Sequence, residues 1–443
     1  MNAVKKRIWL AIMLLAALLL PGCALRTVDE MYCLPKRSDE YNNLQSAIDI
    51  AMAGLEYSAP LYGEHQQTVQ MADLNGDGEN EYLIFAKGTS EMPMQILIFG
   101  KDDDGSIHIM EVIASNGSAF EQVEYVEIDG NPGCELVVGR QLSDQVQRSV
   151  SVYSFAGGHA AQMTNAPYSA FLTCDLDGNG RREVMVMQHE ETEHERGYAV
   201  LYSYRGGSMH RSVEAGLSGK VDSIKRIMTG KIEGGRSAVY IASSVDDSAI
   251  VTDIFALRNG RFVNISRPRN GEGGVETLRN FYVYAEDVDN DGVHELPDLI
   301  NMLPVSSNWG TEEQHLIRWY AVDVEGNPVD KLYSFHNYVG GWFVELDSEW
   351  ADRITISQIG NTYAFYMWNT GYTEATAQFT IYALTGSDRE SQSTRDDRFA
   401  LLQEEGVVYA AKLEEGAAQY GITKEYLINR FHLIHQDWNT GET

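Results

Sequence analysis

Nine residues, Asp73-Leu-Asn-Gly-Asp-Gly-Glu-Asn-Glu81, constrain the fold more than any other stretch, because the chain repeats them. Oxygen-bearing side chains stand at positions one, three, five and nine (Asp73, Asn75, Asp77 and Glu81), with Gly78 at position six. Alternate residues of a tight loop converge their oxygens on one point, the arrangement a hard cation such as Ca2+ selects. Glycine at position six allows the sharp backbone turn. The pattern is the first half of an EF-hand loop, but its last acid falls at position nine and not twelve. The apolar run Tyr82-Leu-Ile-Phe85 follows, so the loop opens a strand, not a helix.

Two further loops match: Asp175-Leu-Asp-Gly-Asn-Gly-Arg-Arg-Glu183, with Asp177 and Asn179, and Asp287-Val-Asp-Asn-Asp-Gly-Val-His-Glu295, with Asp289 and Asp291. Two worn copies lie between them. Glu127–Glu135 has Pro132 where glycine belongs, and Gly230–Ala238 has lost its ligands. First positions fall at 73, 127, 175, 230 and 287, in steps of 54, 48, 55 and 57 residues. Between the loops run short alternating segments such as 94–100, 106–114, 149–155 and 198–204, bounded by Gly, Asn and Asp. A step near 50 residues holding about four strands is the size of a β-propeller blade. One such blade cannot bury both faces alone, so blades must stack.

The loop followed by an apolar strand resembles the FG-GAP/VCBS repeat family of calcium-binding propellers, over roughly residues 60–390. The resemblance implies an all-β propeller in which Ca2+ is structural, held by Asp73, Asn75, Asp77 and Glu81, by Asp175, Asp177, Asn179 and Glu183, and by Asp287, Asp289, Asp291 and Glu295. A turn merely rich in Asp, Asn and Gly is the plainer alternative; three copies at equivalent places favour binding. The sequence departs from the pattern at the two worn loops and at Pro297, which interrupts the run after Glu295.

The expected organisation is a signal segment (1–22), a tether (23–38), an N-terminal helix (39–58), a propeller of about six four-stranded blades (60–415) and a C-terminal helix with a tail (416–443). A seventh blade, or closure by the N-terminal segment, stays open. Leu44, Ile48, Ala51 and Leu55 recur at helical spacing. The sixth blade is expected within 336–415, starting with 341–346, and residues 387–398 read as a solvated loop. A single helix with Thr423 as its cap is expected over 416–436, with Tyr426, Phe431 and Ile434 on or near one face.

Lys5, Lys6 and Arg7 precede an apolar run over 8–20 that is too short for a good membrane span and reads as a signal peptide. It ends Leu20-Pro-Gly-Cys23, which resembles the lipobox of bacterial lipoproteins and implies lipidation at Cys23 and anchoring to the cell membrane, outside the cytoplasm. A formal net charge of −30 argues against nucleic acid, whose phosphates need Lys and Arg. Cys33, Cys134 and Cys174 have no zinc spacing. Cys134 and Cys174 either form a disulfide or pack as small apolar residues beside their strands.

His189-Glu-Glu-Thr-Glu-His194 is one residue too long for a zinc-protease motif and lies between two strands, so it reads as a solvated charge run. Six of the seven Trp lie between 309 and 438. They either fill gaps between blades or offer a stacking platform, with Trp309 the most exposed. The expected function is a surface-exposed binding or scaffold lipoprotein for a protein or glycan, with no catalytic residues assigned. The alternative is a glycosidase or lyase acting on polysaccharide, a reading that rests on the fold alone.

Overall fold

The computed structural model describes residues 39–102, 105–142, 147–188, 197–218, 223–245, 249–267, 274–280, 283–303 and 314–434. The signal segment, Cys23, the tether with Cys33, the His189–His194 stretch, Trp309 and Trp438 lie outside them.

The fold is an all-β propeller array with short helices. Among the described residues there are six antiparallel sheets, taken in chain order as blades 1 to 6. Blade 1 is built on Val69–Ala72, Glu81–Lys87, Met94–Lys101 and Ile107–Ser115. Blade 2 follows with Ala119–Val126, Glu135–Gln141, Arg148–Ser154 and Ala161–Pro167. Blades 3 and 4 repeat this order from Ala170–Cys174 and from Ser223–Lys231. In blades 1 to 4 each loop of the repeated type joins the first strand to the second, as at 72–81 and 126–135; the loop at 287 joins the bridged residue Glu286 to Leu296–Asn301.

The second strands read as continuous apolar runs because a blade is covered on both faces. Successive side chains alternate between those faces. Leu83 and Phe85 therefore pack with Phe120, Leu136 and Val138 of blade 2. Ile84, between them, faces the other way. Blade 2 repeats the device, with Val137, Val150 and Val152 packed on Phe171, Val184 and Val186 of blade 3. Similar clusters join blades 3 and 4, and 4 and 5. Burying one such side chain is worth about 1.5–3 kcal/mol before entropic costs.

Among the described residues no blade precedes blade 1, and a helix covers its other face. Helix α1 (Asp39–Ala51) lays Ile48 on Ile84, Leu97 and Phe99. It ends at Ala51 and not at the expected 58: a turn with Gly54 at φ +82° breaks it, and Glu56–Tyr57 is a strand on Glu81–Lys87. Among the described residues no apolar cluster joins blade 6 to blade 1.

The C-terminal third departs from expectation in four places. Trp342–Leu346 belongs to blade 5, not blade 6, and pairs with Pro328–Asn337. Blade 6 is instead Ile354–Ile359, Thr362–Trp368, Ala375–Thr385, Val407–Leu413 and Phe399–Glu404. Pro297 does not interrupt its strand, which runs Leu296–Asn301. Glu295 exchanges both backbone bonds with Glu286, so by alternation position 297 turns its missing N–H away from His315–Val322, where no ladder bond is lost. The stretch 387–398 is not simply solvated. It holds helix α2 (Arg389–Gln392), buries Ser393, and sets the Arg398 guanidinium 4.0 Å from the Tyr382 ring centre.

The expected helix over 416–436 is three pieces. A 3-10 turn (Ala417–Tyr420) precedes helix α3 (Lys424–Arg430), and Phe431–Leu433 is then a strand on the edge of blade 5. Thr423 does cap α3, accepting the Tyr426 N–H at 3.1 Å. Cys134 and Cys174 are free thiols beside their strands. Burial pushes both up to about 12, so they stay protonated.

Candidate metal centre

Each intact loop is a set of hydrogen bonds between its own acids and its own backbone. The position-one carboxylate accepts the N–H of position six: Gly78 to Asp73 Oδ2 at 3.0 Å, Gly180 to Asp175 Oδ2 at 2.9 Å and Gly292 to Asp287 Oδ2 at 3.0 Å. Position three accepts from position five, as in Asp77 N–H to Asn75 Oδ1 at 2.8 Å and Asp291 N–H to Asp289 Oδ1 at 3.1 Å. Position five accepts from position seven, with Glu79, Arg181 and Val293 as donors. These are Asx turns, the reason such residues favour tight loops. Position four is left-handed throughout; in the third intact loop Asn290 takes it at φ +60°, a conformation asparagine tolerates.

The glutamate at position nine closes the loop from below. It is buried in every loop that has it, and its Oε2 accepts the N–H of position two. The distances are 2.8 Å for Glu81, 2.7 Å for Glu135, 2.8 Å for Glu183 and 2.9 Å for Glu295. The worn loop at 127 thus keeps this part entire. What it lost, it lost in pairs: Pro132 has no N–H to give at position six, and Glu127 replaces the aspartate that would accept it. Its Asp129 is satisfied without an ion, by the Asn131 N–H at 2.7 Å and the Ser154 hydroxyl at 3.0 Å.

Position eight stitches neighbouring loops together. Cys134 N–H donates to the Asp73 carbonyl at 3.1 Å, Arg182 to Glu127 at 2.7 Å and His294 to Lys231 at 2.9 Å. The shared link is made by the backbone, to which the Cys134 thiol adds a bond to the Asp73 carbonyl at 3.3 Å, so position eight varies in type and carries no common signal in the sequence.

The predicted ligands converge unequally. In the loop at 175, one oxygen each from Asp175, Asp177 and Glu183 lie within 4.8 Å of one another; in the loop at 287, Asp287, Asp289 and Glu295 do the same. Asp291, also expected as a ligand, is outside its group. Its Oδ2 accepts from the Lys331 ammonium at 2.8 Å, and the same ammonium lies 2.9 Å from Glu233 Oε2. Lys331 is absent from the sequence reading, being 40 residues from Asp291 in the chain.

Oxygen chemistry at the two clusters suits a hard cation. At 287, Glu295 Oε1 and Asp287 Oδ1 are buried with no hydrogen-bond partner. Burial, reinforced by Asp289, Asp291 and Asp287, pushes the Glu295 carboxyl up to about 8. Burial, with Asp177 and Asp175, pushes Glu183 up to about 7. In the loop at 73, Asn75 replaces one acid. Its amide donates to Glu81 Oε1 at 2.7 Å and to Asp77 Oδ2 at 3.1 Å, quenching the carboxylates that an ion would otherwise meet. Glu81 is raised too, by burial first.

The C-terminal aromatics are chiefly packing. Trp319, Trp342 and Trp350 are buried, with Trp342 stacked on Phe431 at 5.4 Å and edge-on to Tyr363 at 5.0 Å.

No family model matches the chain, and no curated protein does. Among solved structures, it aligns with Bacillus licheniformis rhamnogalacturonan lyase PL11 at 14% identity, covering 73% of this chain and 72% of that one, with a TM-score of 0.29. The Dos1 propeller aligns at 9% identity over 81% of this chain and 89% of that one, also with a TM-score of 0.29. A protein from Lactobacillus plantarum aligns at 8% identity over 69% and 94%, with a TM-score of 0.26. At such scores the likeness carries nothing about activity, and the blade assignment stands on this chain's own sheets.

Proposed function

We propose that this protein is a membrane-anchored, extracytoplasmic binding or scaffold module whose propeller is stabilised by calcium. The carrying observation is the pair of buried, unpartnered carboxylate oxygens at Asp287 and Glu295, two residues that converge with Asp289. Burying bare carboxylates is costly, and a divalent ion offsets that cost. Asp175, Asp177 and Glu183 form the second centre. The loop at 73 is the weakest, because Asn75 already serves its acids. Calcium that binds the folded state alone raises its stability by mass action. Thermal unfolding tests this: the melting temperature should rise with calcium and fall with EDTA, and no shift in either direction removes the metal reading.

Anchoring rests on the Leu20–Cys23 motif. Cys23→Ser should move the protein from the membrane to the soluble fraction, and an unchanged membrane fraction refutes lipidation. The partner is a surface protein or glycan reached outside the cytoplasm. A glycan array with a turnover readout decides between holding and processing: binding without product supports the module, whereas cleavage of a bound glycan supports the polysaccharide-active alternative.

A further inference from the structure

Position five is treated differently in each intact loop. In the first, Asp77 is bonded by Asn75 of its own loop. The second has the uncharged Asn179 there. In the third, both oxygens of Asp291 are engaged: Oδ1 accepts the Val293 N–H at 2.8 Å, and Oδ2 faces Lys331 Nζ at 2.8 Å. Lys331 lies on Pro328–Asn337 of blade 5, its side chain only 17% exposed. Its second acid, Glu233, belongs to the worn loop of blade 4. One ammonium therefore bridges a loop that kept its acids and a neighbour that lost them. The convergent group beside it is Asp287, Asp289 and Glu295, of which the wholly buried Glu295 and Asp287 each carry a buried oxygen with no hydrogen-bond partner.

We propose that Lys331 sets the cation affinity of the Asp287–Glu295 centre by withholding Asp291 from the ion and tying it to Glu233 of blade 4. The proposal rests on the reading that this loop binds calcium. The ion is held through Asp287, Asp289 and Glu295, while the fourth acid serves the seam between blades. Affinity in oxygen-ligated calcium sites follows the number of ligand charges, so releasing Asp291 should tighten binding by about tenfold. Lys331 is thus a positioning residue that touches no ion.

Calcium titration by calorimetry tests this on the full chain carrying Asp73→Asn and Asp175→Asn, which leaves the third loop to report. Adding Lys331→Met should tighten binding, and adding Asp291→Asn on top should abolish the gain. Asp291→Asn with Lys331 present should weaken binding far less than Asp287→Asn does. Unchanged or weaker binding in the folded Lys331→Met protein overturns the proposal, as does an Asp291→Asn loss equal to that of Asp287→Asn. Should Lys331→Met fail to fold, Glu233→Gln gives an independent reading. It leaves the ammonium wholly on Asp291 and should weaken calcium modestly; tighter binding there counts against the proposal. A folded background protein that binds no calcium overturns the metal reading itself, a result distinct from binding that ignores Lys331.

Discussion

Between blades 1 and 2, the Cys134 N–H crosses to the Asp73 carbonyl at 3.1 Å, and the acids around it hold their loops in shape. Between blades 5 and 6 the seam is aromatic: Phe335, Trp342, Tyr363 and Phe365 meet in one cluster, with Phe431 stacked on Trp342. Both seams also bury aliphatic side chains, so the apolar driving force is common to them. The difference lies in what fixes their geometry. The early blades use a charged loop whose cost, on the calcium reading proposed above, depends on cations and protons. The last pair uses ring packing and a returning strand, with no repeated acidic loop among its described residues.

Four measurements can break or sharpen that contrast. The largest effect should come from Trp342→Ala. Emptying a fully buried aromatic site costs about 3–5 kcal/mol, and the loss should be equal with calcium and with EDTA. Denaturant unfolding in both conditions checks it, and a calcium-dependent loss would erase the distinction between seams. Next is Glu295→Gln, which should cross over. Without calcium at pH 8 the variant should melt higher than the parent, because an unsatisfied buried carboxylate oxygen costs about 1–3 kcal/mol. With calcium it should melt lower, having lost a ligand charge.

The pH dependence should be smaller and spread over a wide range. Glu183 and Glu295 are raised in the folded state to about 7 and about 8, above the ordinary 4.5. Folded protein therefore holds these protons more tightly than unfolded protein does. Their stabilising contribution is complete below about 4.5 and is lost as pH rises through about 7 and then about 8. In EDTA, melting temperature should fall over that interval through these two groups, and the increment given by calcium should grow. A calcium increment that is flat between pH 5.5 and 8.5 would sever the link between the carboxylates and the ion (window set by the same linkage, about three units wide). The smallest effect should be that of Asn75→Asp. It gives the first loop acids at positions one, three and nine, as in the other two, and should increase the calcium increment slightly, while lowering stability in EDTA.

The sequence makes the loops, their spacing and most strands of blades 1 to 4 legible, because periodic acids and two-sided apolar runs both leave marks. Blade 6 is harder to delimit. No acidic loop announces its start, and Trp342–Leu346 has the composition of either neighbour. The helix expected through Phe431 fails for a related reason: Phe431-His432-Leu433 alternates as an edge strand does, but so short a run is submerged in the helical spacing before it. At the candidate centre, Asn75 matches the ligand pattern by type, yet its amide faces the carboxylates as a donor. Lys331 cannot be found from the loop, since only the register of two blades brings it there.

The strand Phe431–Leu433 pairs with Trp342–Leu346 of blade 5 after the whole of blade 6 has intervened. A chain emerging from the ribosome must therefore leave the Trp342–Leu346 rim of blade 5 unfinished until Phe431–Leu433 appears. Until then the rim offers unpaired backbone to any other nascent copy, a known route to misassembly. Docking of this strand, sealed by α3 and by the Arg430–Asp347 ion pair at 2.9 Å, closes that edge.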